Sequence, residues 1–215
     1  MDAEGRVALL AGASGLVGSH LLRQLLEDPR WDRVVSVGRR EVDVRDEKLE
    51  QRVVRLSDIG ELPPVDDVFS ALGTTIKKAG SQDAFRAVDH DAVVALARAA
   101  RVAGAESFLH VTSMGSDAGA RVFYTRVKGE TERDVASVGI PMTVAFRPSI
   151  IDGERHESRR GEHVGLLVMR ALSPVLGRFR PTHAADVAAA MLAEAGSGQP
   201  GTRTIGPGEI TRLAR

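Results

Sequence analysis

The chain of 215 residues contains no cysteine, so it can form no disulfide and offers no thiolate as a metal ligand or nucleophile. That absence fits a reducing compartment, and the cytoplasm is the expected location. Basic and acidic residues balance at 29 each, which removes the excess positive charge on which binding to a nucleic-acid backbone or an anionic membrane depends. No apolar run approaches a membrane span. The stretch from Val7 to Ala11 is also too short for the core of a secretion signal, and Asp2 and Glu4 precede it. A soluble protein is expected, with neither nucleic acid nor membrane as partner. The histidines, His20, His90, His110, His156, His163 and His183, include no helical pair at zinc-binding spacing with an acid in place, so no metal site is expected. Tyrosine and tryptophan occur once each, and four lysines stand against 25 arginines.

What remains is a hydrophobic content of 43%, enough for one well-buried core in a single domain over residues 1–215. Short runs of Val, Ile and Leu alternate with longer helical patterns, the mark of a parallel sheet covered on both faces. The spacing predicts strands at Arg6 to Ala11, Arg33 to Val37, Gln51 to Arg55, Asp67 to Ala71, Ser107 to Thr112, Met142 to Arg147 and Thr202 to Ile205. Helices are predicted at Leu16 to Glu27, Asp83 to Ala103, Phe123 to Ser137, Val164 to Leu176 and Ala184 to Glu194, the last opened by His183. The order implies a doubly wound α/β domain, the Rossmann fold, with a small C-terminal extension on the substrate side. The polar, Arg-rich stretch 152–162 reads as a surface loop that either orders over a ligand or is simply solvated.

The first strand runs into Gly12-Ala13-Ser14-Gly15-Leu16-Val17-Gly18 and then directly into an amphipathic helix. A diphosphate needs backbone N–H groups aimed at it, the positive end of a helix dipole, and no Cβ at the point of closest approach; glycines at a strand-to-helix turn supply all three. An acid about 20 residues further on, at the end of the second strand, would take the ribose hydroxyls of NAD. Here that place reads Gly38-Arg39-Arg40. A guanidinium pairs with a 2′-phosphate and stacks on adenine, so NADP(H) is expected ahead of NAD(H). The alternative is that these arginines cap a solvated loop and Glu41 serves the ribose. By position, Asp58 and Ile59 would meet the adenine edge, and Ala71, Leu72 and Gly73 would pass beside the nicotinamide half.

Lys128 lies four residues after the single tyrosine, Tyr124. Side chains at i and i+4 share a helix face, and an ammonium beside a phenol favours the phenolate. Such a tyrosine can trade a proton with a substrate oxygen. Ser113, just beyond the fifth strand, stands at the carboxyl end of the sheet, where open α/β folds bind ligands; it reads as a hydrogen-bonding partner for the reacting oxygen or as a turn serine. Lys77-Lys78 and Arg159-Arg160 flank the expected mouth and either attract an anionic substrate or lie solvated.

The segments Gly12 to Gly18, Val37 to Arg40, Ala71 to Thr75, Val111 to Ser116, Tyr124 with Lys128, Gly129 and Glu130, and Arg147 to Ser149 together resemble the short-chain dehydrogenase/reductase superfamily. More closely they resemble its atypical NAD(P)H-binding branch, which includes the HIV Tat-interactive oxidoreductase. The resemblance spans about two thirds of the chain. It implies that Ser113, Tyr124 and Lys128 are the catalytic set, that Lys128 also holds the nicotinamide ribose, that Arg147 and Pro148 lie beside the cofactor, and that Thr182 to Ala190 packs under the substrate side. Relatives with reductase chemistry carry an Asn near the position of Asp89 for a proton relay, where this chain has an acid. The short C-terminal part favours a small carbonyl or alcohol over a nucleotide sugar. A reductase is therefore expected, the alternative being an NADPH-binding sensor or interaction module without turnover; a homo-oligomer or a protein partner stays open.

Overall fold

Strands that carry apolar residues on both sides need cover on both faces, and β1 (Arg6–Ala11) is of this kind: Ala8 and Leu10 enter one core while Leu9 and Ala11 enter the other. The computed structural model describes residues 5–55, 58–152 and 181–215. In chain order, β1 is followed by α1 (Leu16–Glu27), β2 (Trp31–Gly38), β3 (Leu49–Val53), β4 (Asp67–Ser70), α2 (Ile76–Ala79) and α3 (Gln82–Arg86). A π-helical turn (Ala87–Asp91) then leads into α4 (Ala92–Val102), β5 (Ser107–Val111), α5 (Phe123–Ala136), β6 (Met142–Phe146) and β7 (Ile151–Asp152). The described chain resumes before β8 (Thr182–His183), α6 (Ala184–Ala195), β9 (Gly201–Ile205) and α7 (Pro207–Leu213). Seven strands form one parallel sheet in the order β3-β2-β1-β4-β5-β6-β9. The chain reverses direction across the sheet between β1 and β4, which makes the crevice at their carboxyl ends the switch point of a Rossmann fold.

Helices α1 and α6 cover one face, where Leu21, Leu22 and Leu25 meet Val187, Ala188 and Met191 over Phe69, Leu109 and Phe146. On the other face Val93, Leu96, Ala97 and Ala100 of α4 and Val135 of α5 cover Leu9, Val35, Val68 and Phe108. The amino-terminal end of the sheet is closed by a polar knot. Asp67, 1% exposed, accepts hydrogen bonds from Trp31 Nε1 at 2.7 Å, Ser107 Oγ at 2.7 Å and Arg6 Nε at 2.9 Å. Arg30 stacks on Trp31 from outside, 4.4 Å from the ring centre, a favourable cation–π contact.

Among the described residues the parallel sheet and its helices follow the sequence expectation, apart from the short unpredicted α2 and the differences that follow. β2 and β3 each begin two residues earlier than predicted, β2 because Trp31 is anchored by Asp67 and β3 because an edge strand needs no apolar alternation. The helix predicted over Asp83 to Ala103 is interrupted by the π-helical turn. The short parallel pair β7-β8 and the helix α7 carried no pattern long enough to predict. The predicted helix Val164 to Leu176, Arg159-Arg160 and nearly all of the loop 152–162 lie outside the described residues.

Two close contacts hold the carboxyl edge. Asp117 N–H donates to the Thr125 carbonyl at 3.1 Å, tying the loop after β5 to the first turn of α5. Gly129 makes this approach possible, since a Cβ there would overlap the backbone of Asp117 and Ala118. Gly129→Ala should therefore push the 113–120 loop off α5 and cost about 2 kcal/mol, read by urea unfolding and by faster proteolysis within that loop. Asp67→Ala should strand the Trp31 and Ser107 donors and cost about 3 kcal/mol in the same unfolding assay.

Candidate active site

The glycine turn after β1 is built by close backbone approach. Gly12 has φ +92°, and a Cβ on it would lie 2.7 Å from the Ala71 carbonyl oxygen at the end of β4. Gly15 N–H donates to Gly12 O at 2.9 Å and closes the turn. A Cβ on Gly18 would overlap Gly12 O, so the first turn of α1 packs directly on the loop. Gly15 is the N-cap of α1 in extended conformation, and no side chain caps the helix. The first-turn N–H groups and the helix dipole are thus presented at the switch point beside the exposed Ser14 and Gly15. Leu16 is half-buried, and Val17 sinks into the core as an anchor. This cradle of glycines and uncapped amides fits a diphosphate.

Arg39 and Arg40 follow β2, both exposed and neither with a partner among the described residues. Asp58 is exposed in a tight bridge with Arg55, while Ile59 is buried against the same core face as Leu72. After β4, Ala71 is half-buried and Gly73 exposed.

α5 carries three functional side chains at four-residue intervals. Tyr124, half-buried, stands beside Phe85 of α3 with ring centres 5.4 Å apart. Lys128 is 5% exposed, and its Nζ lies 2.7 Å from Oδ1 of Asp89, which is 1% exposed. The third, Glu132, accepts a hydrogen bond from Thr112 Oγ1 at 2.6 Å and from Arg147 Nε at 2.9 Å. Ser113 is half-buried at the end of β5; its carbonyl accepts from Ser116 Oγ at 2.7 Å, and Met114 N–H donates to Pro148 O at 2.9 Å. The Ser113 turn is thereby fixed between the ends of β5 and β6. Lys128 and the post-β4 loop also meet: a Cβ on Gly73 would lie 3.8 Å from Lys128 Nζ and 3.5 Å from Asp89 Oδ1.

The electrostatics centre on Asp89. Its Oδ2 accepts from Thr74 N–H at 2.8 Å, and its carbonyl accepts from Thr131 Oγ1 at 2.9 Å. Burial pushes the carboxyl above the usual range, opposed by the charge of Lys128 and by the Thr74 amide. His110 on β5, fully buried with neither ring nitrogen hydrogen-bonded, is pushed down to about 3 by burial and then by the Lys128 charge, so it is neutral at physiological pH. The side chain of Glu132 raises the Arg147 guanidinium above its ordinary value by accepting its hydrogen bonds.

The expected catalytic residues therefore share the carboxyl edge with the glycine turn, and two of the expected site cations have partners within the fold. Arg147 is held by Glu132, which joins the end of β6 to α5. The ammonium of Lys128 is not a lone charge but half of a buried ion pair. Glu132 was missed, although it stands at i+8 from Tyr124, on the same helix face, where a sequence signal existed. His183 is exposed at the N-cap of α6. Among the described residues no group of three His, Asp or Glu side chains stands close enough to hold a metal ion, and no helix is long and apolar enough to cross a membrane.

Residues 8–123 match the model of the NAD dependent epimerase/dehydratase family. The mitochondrial protein fmp52 of Emericella nidulans (strain FGSC A4) is 35% identical, over 77% of this chain and 76% of its own. FMP52 of Debaryomyces hansenii is also 35% identical, over 71% of this chain and 70% of its own. Two solved structures share the fold. MoeE5 in complex with UDP-glucose and NAD superposes with TM-score 0.69 at 20% identity, over 98% of this chain and 81% of that one. Bordetella bronchiseptica WbmH in complex with NAD+ superposes with TM-score 0.71 at 18% identity, over 98% and 80%. These matches set the family and leave its branches, the atypical one included, unseparated. They also correct the cytoplasmic expectation, because relatives at 35% identity are named mitochondrial proteins; a chain without cysteine is compatible with a reducing compartment but does not select one compartment over another. With its glycine turn at the switch point and most of its length aligned to these relatives, the chain belongs to the NAD dependent epimerase/dehydratase family.

Proposed function

We propose that the protein is an NADP(H)-dependent oxidoreductase acting on a small carbonyl or alcohol. The observation that carries the reading is the position of Lys128, whose buried ammonium lies beside Gly73 of the post-β4 loop while Tyr124 stands one turn earlier on the same helix. The glycine turn and the uncapped N-terminus of α1 would hold the diphosphate, and Lys128 the nicotinamide ribose. When bound, the nicotinamide supplies a hydride to a carbonyl carbon or accepts one from an alcohol.

The residues of the chain manage the oxygen. In the reducing direction Tyr124 Oη gives its proton to the carbonyl oxygen as the carbon is reduced, leaving an alcohol and a phenolate that is reprotonated from solvent; oxidation runs the same transfer backwards. The Ser113 hydroxyl orients that oxygen from the loop after β5. Lys128 favours the phenolate that forms on Tyr124. Phe85, wholly buried, packs against one side of the phenol ring of Tyr124. After β2, Arg39 and Arg40 offer two exposed guanidinium groups, unpaired among the described residues, where an acid would select NAD, which supports NADP(H). The solved structures named above were complexed with NAD, and a preference for NADP(H) would set this chain apart from them.

NADPH should raise the thermal unfolding midpoint more than NADH at equal concentration. Arg39→Ala/Arg40→Ala should remove that difference, weakening NADPH by about tenfold or more and leaving NADH little changed. Equal shifts for both cofactors in the parent protein would overturn the NADP(H) assignment. In a screen of small aldehydes and ketones followed by NADPH absorbance, Tyr124→Phe should lower kcat by about a hundredfold or more while cofactor binding persists; undiminished turnover would exclude Tyr124 as the proton donor.

A further inference from the structure

We propose that Asp89 is the positioning residue and counter-ion of Lys128, so that Tyr124 works beside a balanced ion pair and not beside a bare ammonium. The inference rests on the reading of Tyr124 as the proton-handling group, and it begins from how thoroughly Asp89 is built in. One carboxylate oxygen meets Lys128 Nζ at 2.7 Å, the other accepts from Thr74 N–H at 2.8 Å, and the main-chain carbonyl accepts from Thr131 Oγ1 at 2.9 Å. The residue therefore ties the post-β4 loop, the π-helical turn and α5 together at one point. The π-helical turn itself sits between two regular helical segments, and such turns recur where a helix must present a group it would otherwise turn away.

The charges around this point leave Asp89 as the group that balances Lys128. Arg86 of α3 and Arg126 of α5 are both engaged by Glu130. Asp91 is engaged by His90 and lies 4.0 Å from Arg86, and Asp134 by His90 and Arg133. Glu132 is taken by Arg147. His110, the titratable group on the β5 side, is neutral. Two buried charges 2.7 Å apart act on a third group as a dipole, whose field falls off faster than that of a single charge. An Asn at this position would accept from Thr74 N–H equally well but would leave Lys128 uncompensated. The acid thus trades some of the help that Lys128 gives a phenolate for a fixed ammonium in a dry site.

The test uses the fact that Tyr124 is the one tyrosine of the chain, so the rise in absorbance near 295 nm with pH reports this phenol without cofactor or substrate. In Asp89→Asn, with the secondary structure unchanged by circular dichroism, the midpoint of that rise should move to lower pH by roughly half a unit or more. A merely structural role would not move it, and an unchanged midpoint in the folded variant would overturn the proposal. Thermal midpoints supply a second measure that survives a poorly folding single variant. Asp89→Asn/Lys128→Met, which removes both charges, should unfold at a higher temperature than Lys128→Met, which leaves a buried carboxyl alone. A double variant no more stable than Lys128→Met would overturn the proposal equally. Neither measurement involves NADPH, so the cofactor reading can fail while the ion pair stands, and the reverse.

Discussion

The architecture depends on a place where the backbone must come closer than any side chain allows. At the switch point the turn after β1 touches the end of β4, and both Gly12 and Gly18 occupy space that a methyl group would fill. That contact fixes where α1 begins and which way its uncapped amides point. It also brings the Gly12 turn and the Ala71 to Gly73 segment to opposite sides of one crevice. A Cβ at Gly12 would be resisted twice, by the Ala71 carbonyl and by the positive φ of 92°.

The second constraint is the cost of taking charge out of water. Lys128 and Asp89 are both almost wholly buried, and each offsets part of the cost of taking the other out of water. Their pairing is possible because the π-helical turn offsets Asp89 toward α5, and because Thr74 and Thr131 satisfy the remaining acceptors of Asp89. One turn further along α5, Glu132 does similar work at lower cost, since Arg147 keeps about a third of its side-chain surface in solvent. α5 is thus fastened to the sheet by polar contacts from its first turn to its third, and by Val127 and Val135 on its apolar side.

Much of this was legible in the residues. Strands buried on both faces announce themselves as runs of Val, Leu and Ala, and the glycine turn stood out because a strand led into it and a helix led out. Tyr124 and Lys128 were conspicuous through scarcity. The π-helical turn was not legible, because the residues it buries are the polar Asp89 and His90, which carry no apolar period to mark where the helix changes its winding. Nor was the fate of two cations. A sequence shows that Arg147 and Lys128 are positive but not that Glu132 and Asp89, distant from Arg147 and Lys128 along the chain, arrive to meet them in space. Trp31 illustrates the same limit for a boundary: β2 starts at this residue because Asp67, thirty-six positions away, accepts its indole N–H.

Once these pairings are counted, the chemistry available at the carboxyl edge narrows. Of the cations that sequence alone placed around the crevice, Lys128 and Arg147 are committed to carboxylates within the fold. Arg39, Arg40, Lys77 and Lys78 remain exposed and without ion-pair partners among the described residues. Two of them follow β2, where the adenosine end of a dinucleotide would lie in a Rossmann fold, and two follow β4, beside the loop that carries Gly73. An anion entering the crevice therefore meets solvent-exposed charge at both ends and a neutral ion pair in the middle. Exposed charges attract at a distance and are screened by salt, whereas a buried pair holds its geometry regardless of ionic strength. On the proposed reading, recruitment and chemistry would be carried by different residues: the outer guanidinium and ammonium groups would draw the ligand in, and the pair beneath Gly73 would keep Lys128 in place.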